Sequence, residues 1–105
     1  QAALIEALKI PASDRCVRLR VFGADDFIVK PTQTENFTLV EIDLFAGRTL
    51  PTKKKLYQAI VRRLGEFGIA PLDVKILLRE IPADNWGIRG GIPASEVDLG
   101  FEIKI

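Results

Sequence analysis

The sequence contains no histidine and a single cysteine, Cys16, among its 105 residues. One cysteine excludes an internal disulfide, and the lack of histidine beside it excludes the usual zinc constellations. The missing imidazole also removes the commonest general base, so acid–base chemistry falls to carboxylates, to Tyr57 or to a less usual group. No apolar run approaches the roughly 20 residues that a bilayer-spanning helix needs. Fifteen Lys and Arg against 14 Asp and Glu leave a formal charge of +1, which supplies no footprint for nucleic acid. No signal peptide is present, and the chain opens on Gln1 rather than Met, which reads as a start after a processed or absent segment. A reducing cytoplasm fits the lone Cys16, expected as a small buried residue because no base lies near it in sequence.

What is present is a globular composition, 48% apolar and 28% charged. It suits one domain, residues 1–105, small enough that partner subunits are expected to complete it. The stretch from Phe37 to Phe67 organises the rest. Val40, Ile42 and Leu44 alternate with Glu41 and Asp43, the pattern of a half-buried strand. Pro51 suits a first helical turn, and Leu56, Ala59, Ile60, Leu64 and Phe67 recur at three- and four-residue steps, giving an amphipathic helix that Gly68 can close. Arg48 stands between them, at the carboxyl end of a strand and the mouth of a helix, where ligands of α/β sheets tend to sit. Lys53, Lys54 and Lys55 read as a solvated face. Before this stretch, Ala2 to Lys9 reads as a helix end stopped by Pro11, and Val17, Leu19 and Val21 alternate with Arg18 and Arg20 as a strand. After it, Val74 to Glu80 reads as a strand, Asp84 to Ser95 as a loop, and Phe101, Ile103 and Ile105 as a short final strand.

A shift of 59 positions carries Ile10, Asp14, Leu19, Arg20, Ala24 and Asp25 onto Ile69, Asp73, Leu78, Arg79, Ala83 and Asp84 without a gap, and Phe27 onto Trp86. The chain therefore reads as two βαβ-type repeats, the first over residues 1–29 and the second over 37–82, followed by a loop and short strand over 83–105. The first repeat lacks roughly one strand, one turn and one helical turn that the second possesses. The expected fold is an α/β, two-layer α+β sandwich with helices on one face of a single sheet. Its other face is charged, with Arg18, Arg20, Lys75 and Arg79 placed to meet Glu41 and Asp43.

Four features together resemble the tautomerase superfamily, in particular its two-repeat branch related to malonate semialdehyde decarboxylase. They are the strand–Gly47–Arg48–Thr49–helix unit, the Asp73-Val74-Lys75-Ile76 strand, the loop Asn85-Trp86-Gly87-Ile88-Arg89-Gly90-Gly91, and the repeat itself. The resemblance implies a fold like that of macrophage migration inhibitory factor, a homotrimer packed sheet to sheet, and no metal or organic cofactor. It implies proton transfer or related hydration or decarboxylation on a small oxo- or unsaturated carboxylic acid, with an amino-terminal proline as base. That proline would begin the first strand, and Gln1 is not it. By the same resemblance Arg48 binds the substrate carboxylate and Asp14 positions a water or tunes the proline, whereas Trp86 and Ile88 line the pocket and Arg89 offers a second carboxylate contact. Each has a plainer alternative: a surface ion pair for Arg48, a turn cap for Asp14 as for Asp73, packing for Trp86 and a subunit ion pair for Arg89. The sequence departs from its relatives at Ala46 and Phe45, where the decarboxylase and a related dehalogenase carry further arginines. A non-catalytic trimeric binding or structural protein of the same fold is the competing function. Nucleic-acid and membrane partners have no supporting feature.

Overall fold

A computed structural model describes residues 1–14 and 16–105. Helix α1 spans Ala2–Leu8 and ends at Lys9, whose φ of 57° is left-handed. Strand β1 covers Thr38–Phe45, helix α2 Leu50–Gly65 and strand β2 Val74–Ile81. β1 and β2 pair in parallel from Thr38 opposite Val74 to Phe45 opposite Ile81, so α2 is the crossover of a βαβ unit. A two-residue hairpin follows, β3 at Gly87–Ile88 against β4 at Ile92–Pro93, inside the stretch expected to be loop.

α2 starts where the sequence indicates. Thr49 is the N-cap and its side chain accepts a hydrogen bond from the Thr52 N–H, while Pro51 occupies the first turn, where its missing donor costs nothing. Arg62 and Arg63 in the last turn oppose the negative helix end, and Arg62 also reaches Glu6 of α1 at 2.6 Å. Gly68, φ 86°, takes the left-handed conformation that redirects the chain after the helix.

The alternation read in β1 and β2 sorts the two faces. Val40, Ile42 and Leu44 with Val74, Ile76 and Leu78 turn toward a core made by Ala3, Ala7 and Leu8 of α1 and Leu56, Ala59 and Ile60 of α2. Leu56 is completely buried. On the opposite face Arg79 bonds to Asp43 at 2.5 Å and to Glu41 at 3.1 Å, one of the cross-strand arrangements expected, with all three side chains about half exposed. Such pairs contribute little to stability in water.

Three expectations are corrected here. Val17, Leu19 and Val21 are 70, 89 and 85% exposed and pair with no strand among the described residues, so Arg18 and Arg20 do not join the ion-paired face. Within this chain α1, not a strand, precedes that segment, so nothing stands where β1 stands for β2. Cys16, expected to be buried, is exposed for the same reason. Phe101 to Ile105 is not a strand either; it is irregular chain that closes over the start of α2. The radius of gyration, 15.6 Å, exceeds the roughly 13 Å of a compact chain of about 100 residues.

Turn hydrogen bonds nevertheless recur at the 59-position offset. The Asp14 N–H donates to Pro11 O as Asp73 N–H does to Ala70 O, and Asp26 N–H donates to Gly23 O as Asn85 N–H does to Pro82 O. Lys9 and Gly68, equally spaced, share positive φ.

Candidate active site

Arg48 lies where β1 hands over to α2. The ladder extends one residue past β1, with Ala46 N–H donating to Ile81 O at 3.0 Å. Gly47 then adopts φ 138°, and a Cβ there would come within 2.8 Å of Ile103, so the turn requires glycine twice over. This turn sends the Arg48 side chain inward. The residue is 6% exposed, and one terminal nitrogen donates to Phe45 O at 3.1 Å, whereas its Nε is buried without a partner. The Phe101 ring lies 5.9 Å from the guanidinium carbon, a cation–π contact. Burial pushes the guanidinium below its ordinary value, and the carboxylates of Asp14 and Glu80 oppose that fall by favouring the charged form. The group remains a cation at neutral pH, dry and with a donor to spare.

The sequence-derived residues are brought together unevenly. Asp14, although exposed, acts on Arg48 through its charge, and the Gln1 side chain donates to its backbone oxygen at 3.0 Å. Trp86 donates from Nε1 to Ile81 O at 3.2 Å and its ring tilts against that of Phe45, centroids 4.8 Å apart, so it packs on the residue whose backbone oxygen holds Arg48. Ile88 is half-buried in β3. Arg89 is exposed at φ 50° and donates to Asp98 O at 3.3 Å. Asp73, the repeat counterpart of Asp14, has a different role: 3% exposed, it accepts from the Thr34 N–H at 2.8 Å and from its hydroxyl at 2.5 Å, which ties the loop before β1 to the turn before β2.

Sequence reasoning missed Lys53, Glu80 and Phe101. Lys53 does not belong to a wholly solvated face, because its side chain is 22% exposed and reaches Glu80 at 2.8 Å. The available signal was position: one turn into α2, a side chain can lean back over the carboxyl end of the neighbouring strand. Phe101 carried no signal, since its contact with Arg48 spans 53 positions. A separate cavity of about 230 Å3 lies among Phe27, Phe37, Leu39 and Lys75. There Phe27 stacks between Phe22 and Phe37 at 5.4 and 5.5 Å.

A family model described as "Tautomerase enzyme" matches residues 14–89, more than half of the chain. This protein belongs to that enzyme family. It is similar to 2-hydroxymuconate tautomerase of Pseudomonas putida, 34% identical over 58 residues that cover 54% of this chain and 90% of the relative. Among solved structures it is similar to FG41 malonate semialdehyde decarboxylase inhibited by 3-bromopropiolate, with a TM-score of 0.79, 30% identity and coverage of 88% of this chain and 74% of the other. It is also similar to a fused 4-OT wild-type symmetric trimer, with a TM-score of 0.78, 29% identity and coverage of 90% and 77%. The fold is the tautomerase fold, and the resemblance in the sequence pointed to the right superfamily and branch. Among the described residues no helix is long and apolar enough to cross a membrane.

Proposed function

We propose that this tautomerase-family chain transfers a proton on a small oxo- or unsaturated carboxylic acid, by keto–enol tautomerisation or a related hydration or decarboxylation, with Arg48 as the ligand of the substrate carboxylate. The buried Nε of Arg48, a charge-bearing donor without an acceptor, carries this reading. A carboxylate presents two oxygens to a guanidinium fork and would satisfy that donor with a charge-assisted bond. Asp14 keeps the cation charged and stands at the site's open side, Trp86 and Ile88 form its apolar wall, and Arg89 supplies a second, solvent-facing cation. The base in this reading is the secondary amine of an amino-terminal proline, which is not among these 105 residues. Neighbouring cations and desolvation would hold such an amine neutral near pH 7.

The chain acts as one tautomerase-like domain of two repeats, residues 1–29 and 37–82, with the carboxyl-terminal segment 83–105 completing it. The half-exposed, ion-paired outer face of β1 and β2 suits contact with other copies, and trimeric relatives of the same fold make a homotrimer the assembly of choice. A second reading, a non-catalytic trimer, draws on the contact between Arg48 and Phe45 O, which makes the arginine an anchor of the turn.

Kinetics on the full-length protein separate the two. With a 2-oxo or enol acid as substrate, Arg48→Ala should lower kcat/KM at least about tenfold, the scale of a lost charge-assisted contact. Unchanged kinetics would return Arg48 to a structural role.

A further inference from the structure

Thr49 and Thr52 sit at the amino terminus of α2, as N-cap and in the first turn. Both hydroxyls donate to one acceptor, the backbone oxygen of Ile105, at 2.7 and 2.5 Å. Thr49 Oγ1 also accepts from the Thr52 N–H at 3.4 Å and lies 3.2 Å from Thr52 Oγ1. Thr52 is only 8% exposed, which makes an unpaired hydroxyl there costly. Arg48 precedes this N-cap directly, and its buried Nε lacks a partner. The segment that covers the hydroxyls covers the arginine too, with Phe101 over the guanidinium and Ile103 against Gly47. Two convergent hydroxyls, an unpaired guanidinium N–H and the positive end of a 16-residue helix therefore lie together under five residues of chain.

We propose that the Thr49 and Thr52 hydroxyls form a cradle for one oxygen of the substrate carboxylate while Arg48 takes the other, and that the Ile105 backbone oxygen holds this place until the acid displaces it. The proposal rests on the reading of Arg48 as carboxylate ligand and adds to it two binding residues and a displaceable strap. The acid also satisfies the Arg48 donor that the strap leaves open, so it gains a charge-assisted bond that the strap does not make.

Titration calorimetry on the full chain, with fluorescence of the single tryptophan, Trp86, as a second signal, tests this with fumarate as the probe. Thr52→Val should weaken fumarate binding about tenfold, and Thr52→Ser, which keeps the hydroxyl, should recover most of that loss. Phe101→Ala loosens the strap and should tighten binding severalfold. If Thr52→Val cannot fold, Thr49→Val removes the other, exposed hydroxyl with the same expected direction. Full-strength binding by these valine variants, beside its loss in Arg48→Ala, overturns the cradle and leaves the Arg48 reading intact. Fumarate binding that survives Arg48→Ala, or that is absent from both the unaltered protein and Phe101→Ala, overturns both.

Discussion

The two halves of this molecule share residues at a fixed offset, and they end in different environments. Leu78 packs against the core from β2, whereas its counterpart Leu19 is 89% exposed. Asp73 is buried and holds Thr34, whereas Asp14 is exposed near Arg48. The turns around both aspartates close with the same backbone bonds. Local sequence is thus enough to repeat a turn, because its donor and acceptor lie three residues apart. A strand and its burial need a second segment to supply the ladder and a layer to cover it. β2 has both in β1 and α2, and residues 17–21 have neither among the described residues.

Paired substitutions break or sharpen this contrast, and the largest effect is expected at the leucines. Leu78→Ala, at a half-buried position packed on the core, should cost about 2 kcal/mol in urea unfolding, the low end for core leucine truncations, while Leu19→Ala should stay within about 0.5 kcal/mol. An equal cost at Leu19 would show that the first half is covered in the working protein. Next come the aspartates. Asp73→Ala strips two hydrogen bonds from a buried carboxylate and should lose about 1 to 3 kcal/mol, whereas Asp14→Ala should leave stability unchanged and act only on turnover. A matching stability loss at Asp14 would make the two aspartates equivalent turn elements. The helix ends differ more finely. Lys9→Gly relieves a left-handed residue carrying a side chain and should stabilise by about 0.5 to 1 kcal/mol, while Gly68→Ala should destabilise by a similar amount. Denaturation midpoints that move the same way in both variants would contradict the shared backbone conformation.

The smallest effect concerns the contact between α1 and α2. Hydrogen bonds from Arg62, supported by the charges of Arg62 and Arg63, hold the Glu6 carboxyl below its usual range. A folded-state value below the unfolded one means that the unfolded chain binds the proton first, so the contribution is present above the unfolded value and is lost as pH falls through the folded one. Glu6 is solvated and the gain is small. Thermal melts should show Glu6→Gln slightly less stable than the parent near pH 7 and indistinguishable from it near pH 3. A gap that widens in acid would reverse the sign and remove this ion pair from the ledger.

Sequence alone determined the features that depend on neighbours along the chain. The start of α2 follows from Thr49 and Pro51, although the helix ends at Gly65, short of Phe67 and Gly68, and the inward and outward faces of β1 and β2 follow from an alternation that pleating converts directly into two sides. The Gly47–Arg48 turn and its superfamily were legible for the same reason, since glycine at positive φ leaves a mark in a single letter. Tertiary structure alone decided which matching segment becomes a strand, because Val17–Val21 and Val74–Ile81 alternate alike and differ only in having a partner. It also decided what surrounds Arg48. Asp14, Glu80 and the segment that carries Phe101 and the Ile105 oxygen come to that turn from three distant places in the chain, and contacts made across such separations leave no period or motif in the residues that make them.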